Sequence, residues 1–195
     1  MNIGTLALRG VVGPLFVGHG TQKLFGWFGG HGIEGTGGFF ENLGLRPGKR
    51  HAIAAGTAEA LGGLLLTLGA FTPLAATMLS SSMVTAIRTV HAPNGPWVAD
   101  NGWEYNAVVI GALAAVVEHG PGSPSVDARL FPSWHGKGWA AASLAGAAAA
   151  SFVVTSLTAE PPREEQEAAV ATAAASSSSS SNGTAPSPQE TPQAS

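Results

Sequence analysis

Charged residues are scarce in this sequence, and cysteine is absent altogether. Only 11% of the residues are charged and 45% are hydrophobic, whereas soluble domains usually carry about 25% charged residues. This deficit favours a protein that lies in lipid. The lack of cysteine excludes disulfides, thiol redox chemistry and cysteine-ligated zinc or iron–sulfur centres as functions of the chain itself. The sequence contains no other metal-binding motif, so we expect neither a metal nor an intrinsic cofactor.

The charge balance argues against nucleic-acid binding. The net charge is −3, but residues 160–195 hold five acids and one base and so contribute −4, which leaves +1 for the rest. A chain without a basic patch is not expected to bind nucleic acid. The same C-terminal part, from residue 158 onward, is rich in Pro, Glu and Ala and contains a run of six serines. Such a composition cannot bury enough apolar surface to fold, so residues 158–195 are predicted to be a disordered tail.

Apolar runs recur along the rest of the chain at lengths that suit membrane helices. A helix needs about 20 residues to cross a bilayer. Four such runs are predicted at residues 3–27, 52–70, 74–90 and 104–118. A fifth run at 139–157 is Ala-rich and less hydrophobic, so it either crosses the membrane or lies at the periphery. The fold class predicted is an all-α integral membrane bundle with a four-helix core and a fifth transmembrane helix.

The loops and the tryptophans agree with this arrangement. A short helix that begins at Thr36 is expected within the polar loop 28–51, with Phe39, Phe40 and Leu43 at the headgroup boundary. All five tryptophans fall at the ends of the predicted spans or in the loops between them, where membrane proteins place aromatic belts. They are Trp27, Trp97, Trp103, Trp134 and Trp139.

Antiparallel connection of the spans predicts which charged residues share an end of the bundle. One end, the B end, receives the C-terminal parts of spans one and three and the N-terminal parts of spans two and four. The polar cluster predicted there consists of His19, Lys23, Glu59, Arg88 and Glu104. The opposite A end holds Arg9 and Asp127. On a helical wheel Arg9, His19 and Lys23 share one face of span one, which should look into the bundle.

Each of these residues has a plain structural alternative. Lys23, Arg88 and Arg9 lie near span ends and could extend to the interface as ordinary snorkelling side chains. Glu59 differs, because a short carboxylate two turns into a span cannot reach water easily. Ionisable groups inside a membrane are functional candidates by default. Lys23 or His19 is the natural partner of Glu59 by depth.

Four segments together resemble the DoxX family of small bacterial membrane proteins. They read GPLFVGHGTQKLFGWFGGHGIEGTGGFF, GTAEALGGLLLTLGAFTPLAA, GWEYNAVVIGALAAV and GPGSPSVDARL. The likeness covers residues 4–131, so residues 1–131 are predicted to be the family core, residues 132–157 a loop with the fifth helix, and residues 158–195 the tail. Positions that match the motifs are His19, Lys23, Glu59, Glu104 and Asp127.

The resemblance implies a function connected with membrane redox chemistry. Some members of the family are subunits of thiosulfate:quinone oxidoreductase, and mycobacterial members are linked to an oxidoreductase complex with a superoxide dismutase and a sulfurtransferase. It implies a multi-pass protein of the cell membrane, at most a subunit of an oxidoreductase with redox centres elsewhere, with quinone as a ligand and redox enzyme subunits and the bilayer as partners. Two alternatives remain open: a small-molecule or ion transporter, and a structural or assembly protein in which Glu59 and Lys23 are internal glue.

Overall fold

The computed structural model describes residues 3–157 and Thr172, and this part of the chain is helical without any strand. The prediction of an all-α fold is therefore confirmed for the described residues. The predicted tail lies outside them, except for Thr172. The helices are α1 (Ile3–Phe25), α2 (Gly32–Asn42), α3 (Gly48–Leu68), α4 (Thr72–Ala86), α5 (Glu104–His119), α6 (Asp127–Leu130) and α7 (Lys137–Ser156).

Short turns of other helical types link these elements. Single 3-10 turns lie at Trp27–Gly29, Ala92–Asn94 and Val98–Asp100, and α4 continues without a break into a wider π-helical turn at Ile87–His91. In that turn the amide of Ala92 donates to the carbonyl of Ile87, five residues earlier. Turns of this kind recur at functional sites.

Two helices begin earlier than the hydropathy pattern predicted. The prediction that a short helix starts at Thr36 was wrong, because α2 begins at Gly32, whose φ of +63° suits the residue without a Cβ. Helix α3 begins at Gly48 rather than at residue 52, directly after Pro47. Polar residues make up these first turns, so apolar content alone could not reveal them.

Helices α1 and α3 pack closely in antiparallel orientation through pairs of glycines. A Cβ placed on Gly63 would lie 2.6 Å from the carbonyl oxygen of Gly13, and one on Gly20 would lie 2.5 Å from that of Gly56. Gly13 and Gly20 are seven residues apart on α1, and Gly56 and Gly63 are seven residues apart on α3. Seven residues are about two turns, so both contacts lie on the same face of each helix. Glycine thus permits the close packing at these positions, whereas a Cβ on Gly10 would meet nothing within 4 Å.

Helix α4 lies at the centre of the bundle and contacts α3, α5 and α7. The hydrophobic core comes mainly from α4 and α5, and its largest fully buried side chains include Leu66 of α3, Leu79 and Leu113. Helix α7 docks on α4 with small polar groups: the hydroxyl of Ser143 donates to the carbonyl of Pro73 at 3.0 Å. The hydroxyl of Thr85 donates to that of Ser151 at 3.0 Å.

Among the described residues, two helices are long and apolar enough to cross a membrane, α3 and α7. Helix α1 has 23 residues, which is long enough to cross a membrane, but it is not apolar enough to be counted with α3 and α7. Helix α5 has 16 residues, so it is only about 24 Å long at 1.5 Å per residue, against a hydrocarbon thickness of about 30 Å. The four-helix membrane core therefore stays a prediction.

Candidate ligand-binding cavity

A cavity of about 540 Å³ opens at the B end of the bundle. Its walls come from α1, α2, α3, α4 with its π-helical turn, α5, and the loop between α4 and α5. Most of the lining is apolar, including Phe16, Phe40 and Leu45. Ligand sites in proteins are typically apolar cavities of about 300–1,000 Å³ with a few convergent polar groups. This cavity has that character.

Lys23 and Glu59 form an ion pair on the cavity wall. The ammonium nitrogen Nζ of Lys23 lies 2.6 Å from Oε2 of Glu59. The carboxylate side is nearly buried, with 6% of the side chain exposed, while the Lys23 side chain is 26% exposed. Of the two partners proposed for Glu59 from depth alone, the structure pairs it with Lys23.

Two histidines of the cavity wall have their ring orientation set by hydrogen bonds. His91 Nδ1 donates to the carbonyl of Asn101 at 2.6 Å, because a carbonyl oxygen can only accept. The amide nitrogen of Gln22 donates to the carbonyl of Phe28 at 3.3 Å, so its oxygen accepts from Nδ1 of His19 at 3.1 Å. In the neutral form, each ring then keeps Nε2 as a hydrogen-bond acceptor.

The structure does not bring every predicted B-end residue to the cavity. His19, Lys23 and Glu59 line it, and Arg88 and Glu104 do not. Arg88 turns to α7, where Nη1 donates to the hydroxyl of Ser151 at 3.2 Å and the guanidinium lies 5.9 Å from the ring centre of Phe152. Glu104 accepts instead from the backbone of the neighbouring loop.

The cavity also contains polar residues outside the cluster predicted from the sequence. His51, His91, Tyr105 and Asn106 all line it. His51 could have been found from the sequence, because it lies eight residues before Glu59 and therefore on the same face of α3 two turns away. Asn106 carried no such signal, since one buried amide in an apolar run resembles many packing residues; its Nδ2 lies 3.4 Å from Sδ of Met83.

At the A end, Arg9 is a fully engaged structural residue. It is 2% exposed. Its guanidinium donates to the carbonyls of Leu66 and Thr67 at the end of α3, at 3.1 and 2.9 Å, and to those of Pro121 and Pro124 in the loop after α5. These bonds satisfy carbonyls that helix ends otherwise leave unpaired. Arg9 thus ties three segments of the chain together.

Asp127 plays a similar role in the same place. It is 1% exposed, and its two carboxylate oxygens accept from the backbone amides of Phe71 and Thr72 at 2.8 and 2.7 Å. These amides begin α4, so Asp127 caps that helix from a distant part of the sequence. The GPGSPSVD segment therefore serves the packing of the A end.

No group of three or more His, Cys, Asp or Glu side chains in the described part of the chain is arranged to hold a metal ion. The expectation that the protein has no metal stays a prediction.

This chain is similar to known proteins in its sequence. The sequence profile of the DoxX family matches residues 4–92. A Bacillus subtilis (strain 168) protein named "Putative oxidoreductase CatD" is 33% identical over 103 residues, which cover 53% of this chain and 70% of that protein.

The chain belongs to the DoxX family. No solved structure matches it. The family match includes α1 to α4 and their cavity residues, among them His19, Lys23 and Glu59, and it ends at residue 92. DoxX is a family of membrane proteins, and the two apolar helices α3 and α7 agree with a location in a membrane.

Proposed function

We propose that this DoxX protein is a membrane subunit of an oxidoreductase system and that its B-end cavity binds a quinone. The family and the relative from Bacillus support a membrane-associated, oxidoreductase-related role. The finer assignment depends on the cavity, because quinones are flat apolar rings that carry two hydrogen-bonding oxygens. The observation that carries it is the ion pair of Lys23 and Glu59 on a mostly apolar wall.

The polar groups of the cavity suit both redox forms of such a ring. The Lys23 ammonium has three N–H donors, and its hydrogen bond to Glu59 uses one of them. Another can donate to a quinone carbonyl. A quinol instead offers O–H donors, and Nε2 of His91 or His19 can accept from them in the tautomer that their Nδ1 bonds favour. Donors and acceptors thus occur on one apolar wall.

Electrons would come from a partner protein in this proposal. The chain has no cysteine, so it cannot supply cysteine-ligated iron–sulfur clusters or a redox-active thiol pair. A redox enzyme subunit docked at the B end would reduce or oxidise the bound ring, while Lys23, Glu59 and the cavity histidines hold it in place. The protein would then be a binding and docking subunit of a multi-pass membrane complex.

Quinone retention tests the proposal directly. The protein is purified in a mild detergent, its lipids are extracted, and quinones are quantified by mass spectrometry. We expect a quinone to co-purify with the wild type and a short-chain quinone analogue to bind at the emptied site. Lys23→Met should weaken analogue binding about tenfold or more, because a hydrogen bond from a charged group is lost.

Lys49→Met is the matched control for that experiment. Lys49 also pairs with a glutamate, Glu34, at 2.8 Å, but both side chains are largely exposed and neither lines the cavity. Analogue binding should be the same in this variant and in the wild type. Absence of any retained quinone together with absence of analogue binding would refute the quinone assignment, as would equal binding by Lys23→Met and wild type.

A further inference from the structure

The loop between α4 and α5 forms part of the cavity wall. Residues 96–102, here named the strap, contribute Val98, Asn101 and Gly102 to the cavity lining. The strap begins and ends at the same place, because the amide of Glu104 donates to the carbonyl of Pro96 at 2.8 Å. It is therefore a compact, closed loop.

Glu104 fixes the strap from its α5 side. Its carboxylate oxygen Oε1 accepts from the backbone amide of Val98 at 2.8 Å. Glu104 is the first residue of α5 and does not itself line the cavity. Glu104 therefore affects the cavity indirectly. It holds the backbone of Val98, and Val98 is part of the cavity wall.

Two further features hold the strap in the same position. From the α4 side, His91 Nδ1 donates to the carbonyl of Asn101 at 2.6 Å. At the C-terminal end, a Cβ on Gly102 would lie 2.4 Å from the carbonyl oxygen of Gly95 and 2.6 Å from the amide nitrogen of Trp97. Only glycine allows this close approach of backbone to backbone.

We propose that Glu104 is a positioning residue that keeps the strap over the cavity mouth and so limits access to the Lys23–Glu59 wall. It acts as a hydrogen-bond acceptor and neither contacts the ligand nor carries protons for it. The link to ligand binding rests on the proposed quinone site. The control of cavity access by the strap does not, and it is measured separately.

Cysteine labelling measures access to the cavity, because the chain has no cysteine of its own. Ala58 lines the cavity one residue before Glu59 on α3, so the Ala58→Cys variant places a single thiol there. The labelling rate by a water-soluble methanethiosulfonate reagent is compared in four further backgrounds. They are Glu104→Ala, Glu104→Gln, Gly102→Ala and Glu118→Ala.

Glu104→Ala should speed labelling about tenfold or more, because the bond between the strap amide and a charged acceptor is lost. Glu104→Gln should stay within about twofold of wild type, since an amide oxygen can accept the same bond. Gly102→Ala displaces the strap by steric contact and should also speed labelling. Glu118→Ala changes a glutamate at the far end of α5 and should have no effect.

Two results would overturn the proposal. Equal effects of Glu104→Gln and Glu104→Ala would show that the charge matters rather than the acceptor. Unchanged labelling in both Glu104→Ala and Gly102→Ala would show that the strap does not control access. If Glu104→Ala fails to fold by circular dichroism, Gly102→Ala and Glu104→Gln decide. Dissociation of a short-chain quinone analogue should quicken in parallel; a wild type that binds no analogue but shows the labelling pattern refutes the quinone site and keeps the strap.

Discussion

The Lys23–Glu59 ion pair allows a sharp test of whether these charges are only internal glue. The two charged atoms lie 2.6 Å apart, and the carboxylate side chain is 94% removed from solvent. Lys23→Met leaves that carboxylate without its counter-ion. Breaking a buried pair in this way typically costs about 3–5 kcal/mol of unfolding free energy.

The other single change should cost less. Glu59→Gln leaves the Lys23 ammonium unpaired, but this side chain is 26% exposed and lines an open cavity, so water can solvate it. We expect a loss of about 1–2 kcal/mol after discounting for that exposure. The double variant removes both charges and should lose under about 1 kcal/mol. The coupling energy of the pair is therefore expected to be about 3 kcal/mol or more.

The Glu34–Lys49 pair supplies a control of almost equal distance. Its charged atoms lie 2.8 Å apart, with the side chains 78% and 62% exposed. Its coupling energy should stay below about 1 kcal/mol. Both cycles are measured by reversible unfolding in detergent, with helix content and tryptophan fluorescence as probes. A coupling for Lys23 and Glu59 no larger than that of the control would refute the reasoning from burial.

The same variants distinguish an ion pair that only stabilises the fold from one whose Lys23 also binds the ligand. If the pair serves stability alone, the double variant should regain both the fold and quinone-analogue binding. If Lys23 donates to the ligand, the double variant should regain stability and still bind the analogue about tenfold more weakly or worse. Restoration of both properties would contradict the proposed role of Lys23.

Three further predictions concern packing and the A end, each measured by unfolding in the same detergent. Gly63→Ala should destabilise by about 1–3 kcal/mol, since the new Cβ meets the backbone of Gly13 at 2.6 Å, whereas Gly10→Ala, with open space around it, should be neutral or stabilising. Arg9→Met should cost about 3 kcal/mol or more, because four backbone carbonyls lose their donor. Asp127→Asn keeps one acceptor oxygen of two and should cost about 1–2 kcal/mol.

The sequence predicted at which end of the bundle a charged side chain lies, but it did not predict which neighbouring helix or cavity that side chain faces. Antiparallel connection of apolar runs places Lys23, Glu59, Arg88 and Glu104 at one end, and all four lie there. Whether a side chain turns to the cavity depends on local backbone that hydropathy does not encode. The π-helical turn that follows α4 is one case, since Arg88 within it contacts α7 while its neighbour His91 lines the cavity.

The strap shows the same limit of prediction from the sequence: its place was predicted, and its contacts were not. The predicted spans 74–90 and 104–118 leave a connecting loop between them at the B end, and the strap lies in that loop. Nothing in the composition of that loop shows that the backbone amide of Val98 would donate to the side chain of Glu104. A glutamate at the start of an apolar helix is equally consistent with simple stabilisation of the helix N-terminus.

The state of the hydrogen bonds distinguishes the two ends of the bundle more clearly than the charges do. At the A end, Arg9 and Asp127 are almost fully buried, and their polar atoms form hydrogen bonds with backbone groups of the protein. At the B end, Lys23 donates to Glu59 on the cavity wall, and the imidazole of His91 is held through Nδ1 while its ring lines the cavity. Polar groups on a mostly apolar wall stabilise the fold less than apolar side chains of similar volume would. Polar groups that face a cavity can form hydrogen bonds with a ligand, which is why the function is sought at the B end.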